Sequence, residues 1–363
     1  MSQTVKVQTY PTLPKLAIRL RDDLNDADFV LLYAFNGTGK TRLSTEFANR
    51  GKKEEQRDTL YFNAFTEDLF SWDNDLENNA ERRLLLNKKS RFFEGLEALE
   101  LDTRIRPRLQ RYASFDFTIK FDEGFVSFKR DIRVRSQTQE VDFIKVSRGE
   151  ENIFIWCFFL AIAQLAIDAE GESPYSWVRY LYIDDPISSL DDNNAIAVAG
   201  DLSQLLRKAN GRIKTVISSH HALFFNVLCN ELKKRTHTKY FLHRQTLGSY
   251  SLQKTDDTPF FHHVAILSEL QQVAASGLIQ TYHFNVLRGV LEKTATFFGY
   301  PDFSDCLHGV EDGELHARAL NLLSHGNQYS VFAPREMVDD NKELFRSILA
   351  AFLDKYQFAL PDL

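Results

Sequence analysis

Two groups of residues in this chain have the types and the spacing to do chemistry. The first begins in "YAFNGTGKTRL", directly after the apolar run "FVLLYAF". A strand, a Gly-rich turn, Lys-Thr and then a helix is the order in which backbone amides cradle phosphates, the Lys neutralises them and the Thr hydroxyl binds Mg²⁺. Asn36, Gly37, Thr38 and Gly39 form that turn, with Lys40 to neutralise phosphate, Thr41 to bind the metal and Ala34 where the usual pattern starts with Gly. The run "RYLYIDD" then ends in Asp184, suited to hold the metal, and Asp185, suited to polarise an attacking water. Many nucleotidases of this kind carry Glu at the second position, so Asp185 is one methylene shorter. A further apolar run, "TVISSHH", ends in His220, placed to meet a terminal phosphate.

The second group lies in "YHFNVLRGVLEKTATF". Arg288 and Glu292 are four residues apart, so one helix face carries both beside the apolar row of Leu287 and Leu291. His325, in "LNLLSHGNQ", closes a helical run just before Gly326, a stop signal. Together these three suit metal-independent RNA cleavage. One of Glu292 and His325 takes the proton of a ribose 2′-OH, the other protonates the leaving 5′-oxygen, and Arg288 holds the charge that develops on phosphorus. The products are a 2′,3′-cyclic phosphate and a 5′-OH end, and DNA, lacking the 2′-OH, cannot follow. The plainer reading is a solvated ion pair worth a few tenths of a kcal/mol and a His that complements a helix dipole. Spacing alone leaves both open.

These residues need elements to hold them. From Phe29 to Leu252 short β-like runs alternate with helical stretches, which predicts an α/β unit with a mostly parallel, helix-covered sheet. The "DEG" turn at Asp122–Gly124 predicts an antiparallel hairpin added to that sheet, making it mixed. After Phe260 the pattern changes to long 3.6-residue periods, an all-α segment. The expected division is 1–257 and 258–363, with the junction at the turn-favouring "KTDDTPFF". No run approaches the roughly 20 apolar residues of a membrane span, and Cys157, Cys229 and Cys306 lack the spacing of a zinc or redox site. Both observations predict a cytoplasmic protein with reduced thiols. A net charge of -6 argues against a generally basic coat for nucleic acid and leaves room for a local patch. Residues 233–244, "KKRTHTKYFLHR", offer one candidate, with Tyr240 and Phe241 available to stack on bases, or else a plain strand with solvated charges.

The head resembles the ABC-type ATPases. "KVSRGEENIF" is similar to their signature, with Ser147 and Gly149, and Glu150 beside them, at the start of a predicted helix. Ser189, Leu190 and Asp191 resemble their D-loop, and Asn63 in "LYFNAFTEDLF" stands at the place of the Q-loop. In that superfamily the signature serves the nucleotide of the opposite subunit, which implies a head-to-tail homodimer. Only about 105 residues separate phosphate loop and signature, too few for a long coiled-coil arm.

Over nearly its whole length the chain also resembles the PrrC-type anticodon nucleases. "YFNAFTEDLFSWDNDLE", "SRGEENIFIW", "YIDDPISSLDDN" and "YHFNVLRGVLEKTATFFGYP" carry that resemblance. It implies a C-terminal ribonuclease that cuts a tRNA, best known as lysine tRNA, beside the wobble base, with catalytic Arg288, Glu292 and His325. It also implies control by GTP (or ATP) hydrolysis and dTTP binding, silencing by a type I restriction-modification complex, a role in antiphage defence, and a tRNA-recognition carboxylate at Asp257 or Asp256. A regulatory ABC-type ATPase whose helical tail binds a partner or DNA is the competing expectation. A fold with degraded catalysis is the third, because of Ala34 and Asp185.

Overall fold

The computed structural model describes residues 7–52, 57–63, 69–75, 77, 81–88, 101–134, 137–171, 173–186, 192–245, 248–255, 261–325 and 337–356. Within these, the side chains of 133, 134, 137, 192, 193, 261–263, 265, 281, 282, 324 and 325 are left aside.

The elements run β1 (Val7–Tyr10), α1 (Leu13–Asp26), β2 (Phe29–Tyr33), α2 (Lys40–Arg50), β3 (Thr59–Asn63), β4 (Phe70–Asp73) and β5 (Arg83–Leu86). They continue with α3 (Leu101–Leu109), β6 (Asp116–Lys120), β7 (Phe125–Val134), β8 (Gln137–Val141), α4 (Arg148–Asp168), β9 (Tyr180–Asp184) and α5 (Asp192–Lys208). Then follow β10 (Lys214–Ser219), α6 (Ala222–Glu231), β11 (His237–Arg244), β12 (Tyr250–Lys254), α7 (Phe261–Ser276) and α8 (Thr281–Phe298). A 3-10 turn at Phe303–Leu307, α9 (Gly313–His325) and α10 (Asp339–Tyr356) complete the described chain.

The chain divides into two compact units, Gln8–Asp256 and, in the other, Met1–Val7 together with Asp257–Leu363. In the first, a seven-stranded sheet has the order β1-β12-β11-β2-β10-β9-β3. Its centre is parallel, with β10 paired to both β2 and β9, and β9 to β3. Every residue of β2 is buried, as expected of a strand covered on both faces. The predicted α/β fold is therefore present, an ABC-type P-loop architecture with a mixed sheet, since β11 and β12 pair antiparallel.

The hairpin is where the prediction fails. Residues 122–124 do turn β6 into β7, with Gly124 at φ 79°. But these strands join β4, β5 and β8 in a second, antiparallel sheet, and are not added to the parallel one. That sheet turns Phe117 and Phe128 onto Phe154 of α4, so it needs its own apolar face instead of an edge of the first sheet.

Helix α4 corrects a second expectation. Its 21 residues are long and apolar enough to cross a membrane by length and composition, yet 78% of that window is buried inside the protein. It is a core helix between layers, apolar all round. The basic run 233–244 is likewise mostly strand: Tyr240 and Phe241 are buried, and the Tyr240 hydroxyl donates to Asp23 at 2.9 Å, so neither ring is open to a base. Cys157, Cys229 and Cys306 are free thiols.

Candidate functional site

Strands β2, β9 and β10 lie side by side, and in register Leu32 faces Ser218, which faces Asp184. Their ends therefore deliver three loops to one place. The chain leaves β2 through Ala34–Gly39, where Gly37 (φ 81°) and Gly39 (φ 105°) adopt the left-handed backbone that L side chains resist. Gly39 caps α2, so the free amides of the first helical turn point into the loop. Ala34 is buried without strain. Its N–H donates to the Ser219 carbonyl at 3.1 Å and its own carbonyl accepts from Lys40, so nothing at this position demands Gly.

Lys40, only 6% exposed, is held from several sides. Its Nζ donates to the Ala34 and Phe35 carbonyls at 3.2 Å each and lies 3.4 Å from Asn36 Oδ1. It also sits 3.1 Å from Asp185 Oδ2. The other Asp185 oxygen accepts from His220 twice, from the backbone N–H at 3.0 Å and from Nδ1 at 2.7 Å. Burial alone would raise the Asp185 pKa, but the His220 hydrogen bonds and the Lys40 charge outweigh it and hold the carboxyl below its ordinary value. Asp185 itself has φ 49°, a left-handed conformation that Asp tolerates better than most residues, and its N–H donates to the Ser218 carbonyl at 2.8 Å.

Asp184 is fully buried. Thr41 Oγ1 donates to one of its oxygens at 2.7 Å and Ser218 Oγ to the other at 2.6 Å. Here burial prevails over those two hydrogen bonds and raises the pKa. Thr41 and Asp184 thus stand together as hard oxygen donors beside the phosphate loop, the chemistry that suits Mg²⁺. Asn63, at the end of β3, is in register with Asp184. Ser218 escaped the sequence reading. Its signal was available only through the register of two parallel strands, which places it opposite Asp184.

Ser147 and Glu150 stand at the start of α4 and form a capping box. Ser147 Oγ accepts from the Glu150 N–H at 3.3 Å, and the Glu150 carboxylate accepts from the Ser147 N–H at 2.8 Å while pairing with Arg130. Both side chains are engaged in capping the first turn of the helix, and a Cβ added at Gly149 would meet nothing within 4 Å among the described residues, so the backbone between them is open to approach. Ser189, Leu190, Asp191, Asp256 and Asp257 lie outside the described residues.

In the second unit, α8 buries Phe284, Leu287 and Leu291 and turns the opposite face outward. Arg288 Nε donates to Glu292 Oε1 at 2.7 Å, with 18% and 51% of the two side chains exposed. The Arg288 guanidinium lies 5.1 Å from the centre of the Phe303 ring. His325 is the last residue of α9, which packs on α8; its side chain lies outside the described residues. The structure thus brings Arg288 and Glu292 together.

Over residues 108–354 the chain matches a family described as AAA domain, a stretch that starts after the phosphate loop and runs into α10. It is 35% identical to an anticodon nuclease from Escherichia coli over 325 residues, 81% of each chain. It is also 26% identical over 202 residues, half of this chain and 28% of the other, to the uncharacterized chromosomal cassette SCCmec type IVc protein CR006 of Staphylococcus aureus. Among solved structures, the SmcHead bound to the C-winged helix domain of ScpA is 8% identical, with a TM-score of 0.34 over 64% of this chain and 91% of that one. The SMC head domain from Thermotoga maritima is 12% identical, with a TM-score of 0.29 over 62% and 89%. Both likenesses are too slight to speak to function.

Proposed function

The chain belongs to the anticodon nuclease family and carries that family's AAA domain, and from this premise we propose that it is a nucleotide-regulated ribonuclease that cuts a tRNA in its anticodon loop. The observation that carries the proposal is the relationship over 81% of both chains, a share larger than the Gln8–Asp256 unit alone supplies. The relationship therefore reaches beyond the nucleotide unit into the helical one, which supports reading the two as one device.

In this reading Arg288, Glu292 and His325 perform the cleavage. A 2′-oxygen gives up its proton to one of Glu292 and His325 and bonds to phosphorus. The bond from phosphorus to the 5′-oxygen breaks, and the other group protonates that oxygen. Arg288, resting against Glu292, is released to the phosphate, where its guanidinium offsets the charge of the pentacoordinate state. Glu292 is half exposed, so the pair can open from that side, and an ion pair at the surface contributes about 1 kcal/mol or less.

The nucleotide unit acts as the switch. Asn36–Thr41 would hold the phosphates, with Asn63, Ser147, Gly149, Glu150, Asp191 and His220 as further nucleotide contacts. Thr41 and Asp184 would hold Mg²⁺, and the ion would supply positive charge to offset that of the phosphates. Asp185 orients the hydrolytic water. In the structure Lys40 is satisfied by its own loop and by Asp185, so an incoming phosphate must draw it away and thereby free Asp185. The proposal extends to GTP or ATP as the hydrolysed nucleotide, dTTP as a second one, and a head-to-tail homodimer. It also includes lysine tRNA cut beside the wobble base, with Asp257 or Asp256 in its recognition, and silencing by a type I restriction-modification complex in cytoplasmic antiphage defence.

The test is chemical. Purified protein with nucleotide should cleave an anticodon stem-loop RNA to a 2′,3′-cyclic phosphate and a 5′-OH end, and should leave untouched the same RNA carrying a 2′-deoxy sugar at the break. Cleavage of the deoxy substrate would remove the 2′-OH mechanism.

A further inference from the structure

Helix α8 presents a second row beside the Arg288–Glu292 pair. Gly289, Lys293 and Phe297 follow one another at four-residue spacing, so they share a strip of the helix surface adjoining the strip of Arg288, Glu292 and Thr296. Each of the three is unusual for a helix that needs only to fold.

Phe297 is 85% exposed. Among the described residues the large exposed hydrophobic side chains include three aromatic rings, and these are Phe297, Phe298 and Tyr300, all at this one helix end. Gly299, at φ 74°, turns the chain so that the Tyr300 N–H donates back to the Ala295 carbonyl at 2.8 Å. Tyr300 then stacks on Phe298 at 5.8 Å, Tyr356 packs on Phe298 at 5.2 Å, and Phe297 meets Phe298 in a T-shaped contact at 5.4 Å. A T-shaped contact uses at most one face of a ring. Phe297 is therefore braced while a face stays open.

Lys293 is exposed and makes no ion pair among the described residues. Gly289 sits in the middle of the helix, where Gly costs about 1 kcal/mol against Ala, and a Cβ added there would meet nothing within 4 Å. No packing among the described residues asks for that Gly. A flat patch of backbone, an ammonium without an ion pair among the described residues and a braced ring, in line, are what an extended strand with phosphates and unpaired bases would require.

We propose that this row is the bed of the RNA strand, with the backbone passing over Gly289, a phosphate at Lys293, and an unpaired base stacked on Phe297. The inference rests on the nuclease reading above and names how that site takes its substrate. Phe297 lies five residues beyond Glu292, about 7.5 Å along the helix axis. At roughly 3.4 Å per stacked nucleotide this is about two nucleotides from the broken bond. The unpaired bases of an anticodon loop fit such a platform, whereas paired bases do not present a free face. A second copy of the chain fits poorly. The exposed fractions of the three rings amount to about 350 Å² at roughly 200 Å² per ring, well short of the roughly 800 Å² per partner of a stable interface.

The experiment compares the intact protein with Phe297→Ala, Phe297→Trp and Gly289→Ala. It measures binding of an anticodon stem-loop RNA made uncleavable by a 2′-deoxy sugar, KM and kcat on the cleavable RNA, and thermal stability. Phe297→Ala should weaken RNA binding and raise KM about tenfold, and Phe297→Trp should restore both. Gly289→Ala should move stability and binding in opposite directions, raising Tm while weakening RNA binding, which a purely structural Gly would not do. Unchanged KM and binding in both Phe297→Ala and Gly289→Ala, with the parent protein still cutting the loop, would overturn the row and leave the nuclease reading intact. A parent protein that neither binds nor cuts the RNA would overturn both. Altered sedimentation of Phe297→Ala with unaltered RNA binding would make the rings an interface between copies and overturn the inference.

Discussion

The two side-chain clusters proposed to carry chemistry hold their charges in opposite ways. At the nucleotide end, Lys40, Asp184 and Asp185 are 6%, 0% and 7% exposed and lock one another through Thr41, Ser218 and His220. On α8, Arg288 and Glu292 form one ion pair at the surface, 18% and 51% exposed. A buried charge that loses its partner is costly, so the first set can rearrange only when a ligand supplies replacement charge. The exposed pair can be rearranged by thermal motion and a passing phosphate. The difference fits a switch that must stay shut and a blade that must open readily.

The sharpest way to break that contrast is at the blade. Glu292→Gln and His325→Ala should each lower single-turnover RNA cleavage by roughly 10²–10⁴ while leaving nucleotide affinity unchanged. Full activity in either variant would remove that residue from the mechanism.

The helical unit also holds two titratable groups, His283 and Glu269, that burial shifts in opposite directions. His283 is pushed down to about 4 by burial, and its Nδ1 accepts from the Gln280 N–H. Its folded pKa lies below the unfolded value, so its contribution, about 3 kcal/mol at 1.36 kcal/mol per pKa unit, is present above pH 6.5 and lost as pH falls toward 4. Glu269 is pushed up to about 7 by burial, so its charged form costs stability at neutral pH and the cost is relieved as pH falls. Between these limits the two oppose. Stability of the parent protein should change little between pH 6.5 and 4.5, His283→Asn should gain stability on acidification and Glu269→Gln should lose it. Hydrogen exchange at α8 amides of the intact chain reads this directly, and parallel profiles in all three would contradict it.

At the switch, Lys40→Ala should weaken nucleotide binding about 10- to 100-fold, the loss expected of a charged hydrogen-bond donor. Asp185 would keep His220 as its partner, so the folded state should survive. Calorimetric titration decides this, and unaltered affinity would sink the phosphate role of Lys40. The smallest effect should be on stability at the blade. Arg288→Gln should shift unfolding free energy by about 1 kcal/mol or less, covering both the exposed pair and the Phe303 contact, while cleavage falls far more. A stability loss as large as that of a core substitution would mean the pair is structural.

Much of this was legible before any coordinates. β2 and β9 are largely buried and read as apolar runs, β10 carries a shorter apolar pair, and the polar residues that end all three mark the site. The Arg288–Glu292 pair follows from helical spacing alone. What escaped depends on pairing between distant segments. Ser218 holds Asp184 only because two strands align, and β4 and β5, four residues each, are too short to announce a second sheet. The Ser147–Glu150 capping box was visible in "SRGE" but was read only as a nucleotide contact. Phe297 reads on paper as one more apolar residue of α8, and only its 85% exposure sets it apart.

The most direct test of the central claim is sequencing of RNA ends from cells expressing this chain with no silencing partner. Breaks should be confined to the anticodon loop of one tRNA, bear 5′-OH ends and vanish with His325→Ala. Wholly intact tRNA in the presence of folded, nucleotide-binding protein would contradict the claim and favour a regulatory ATPase.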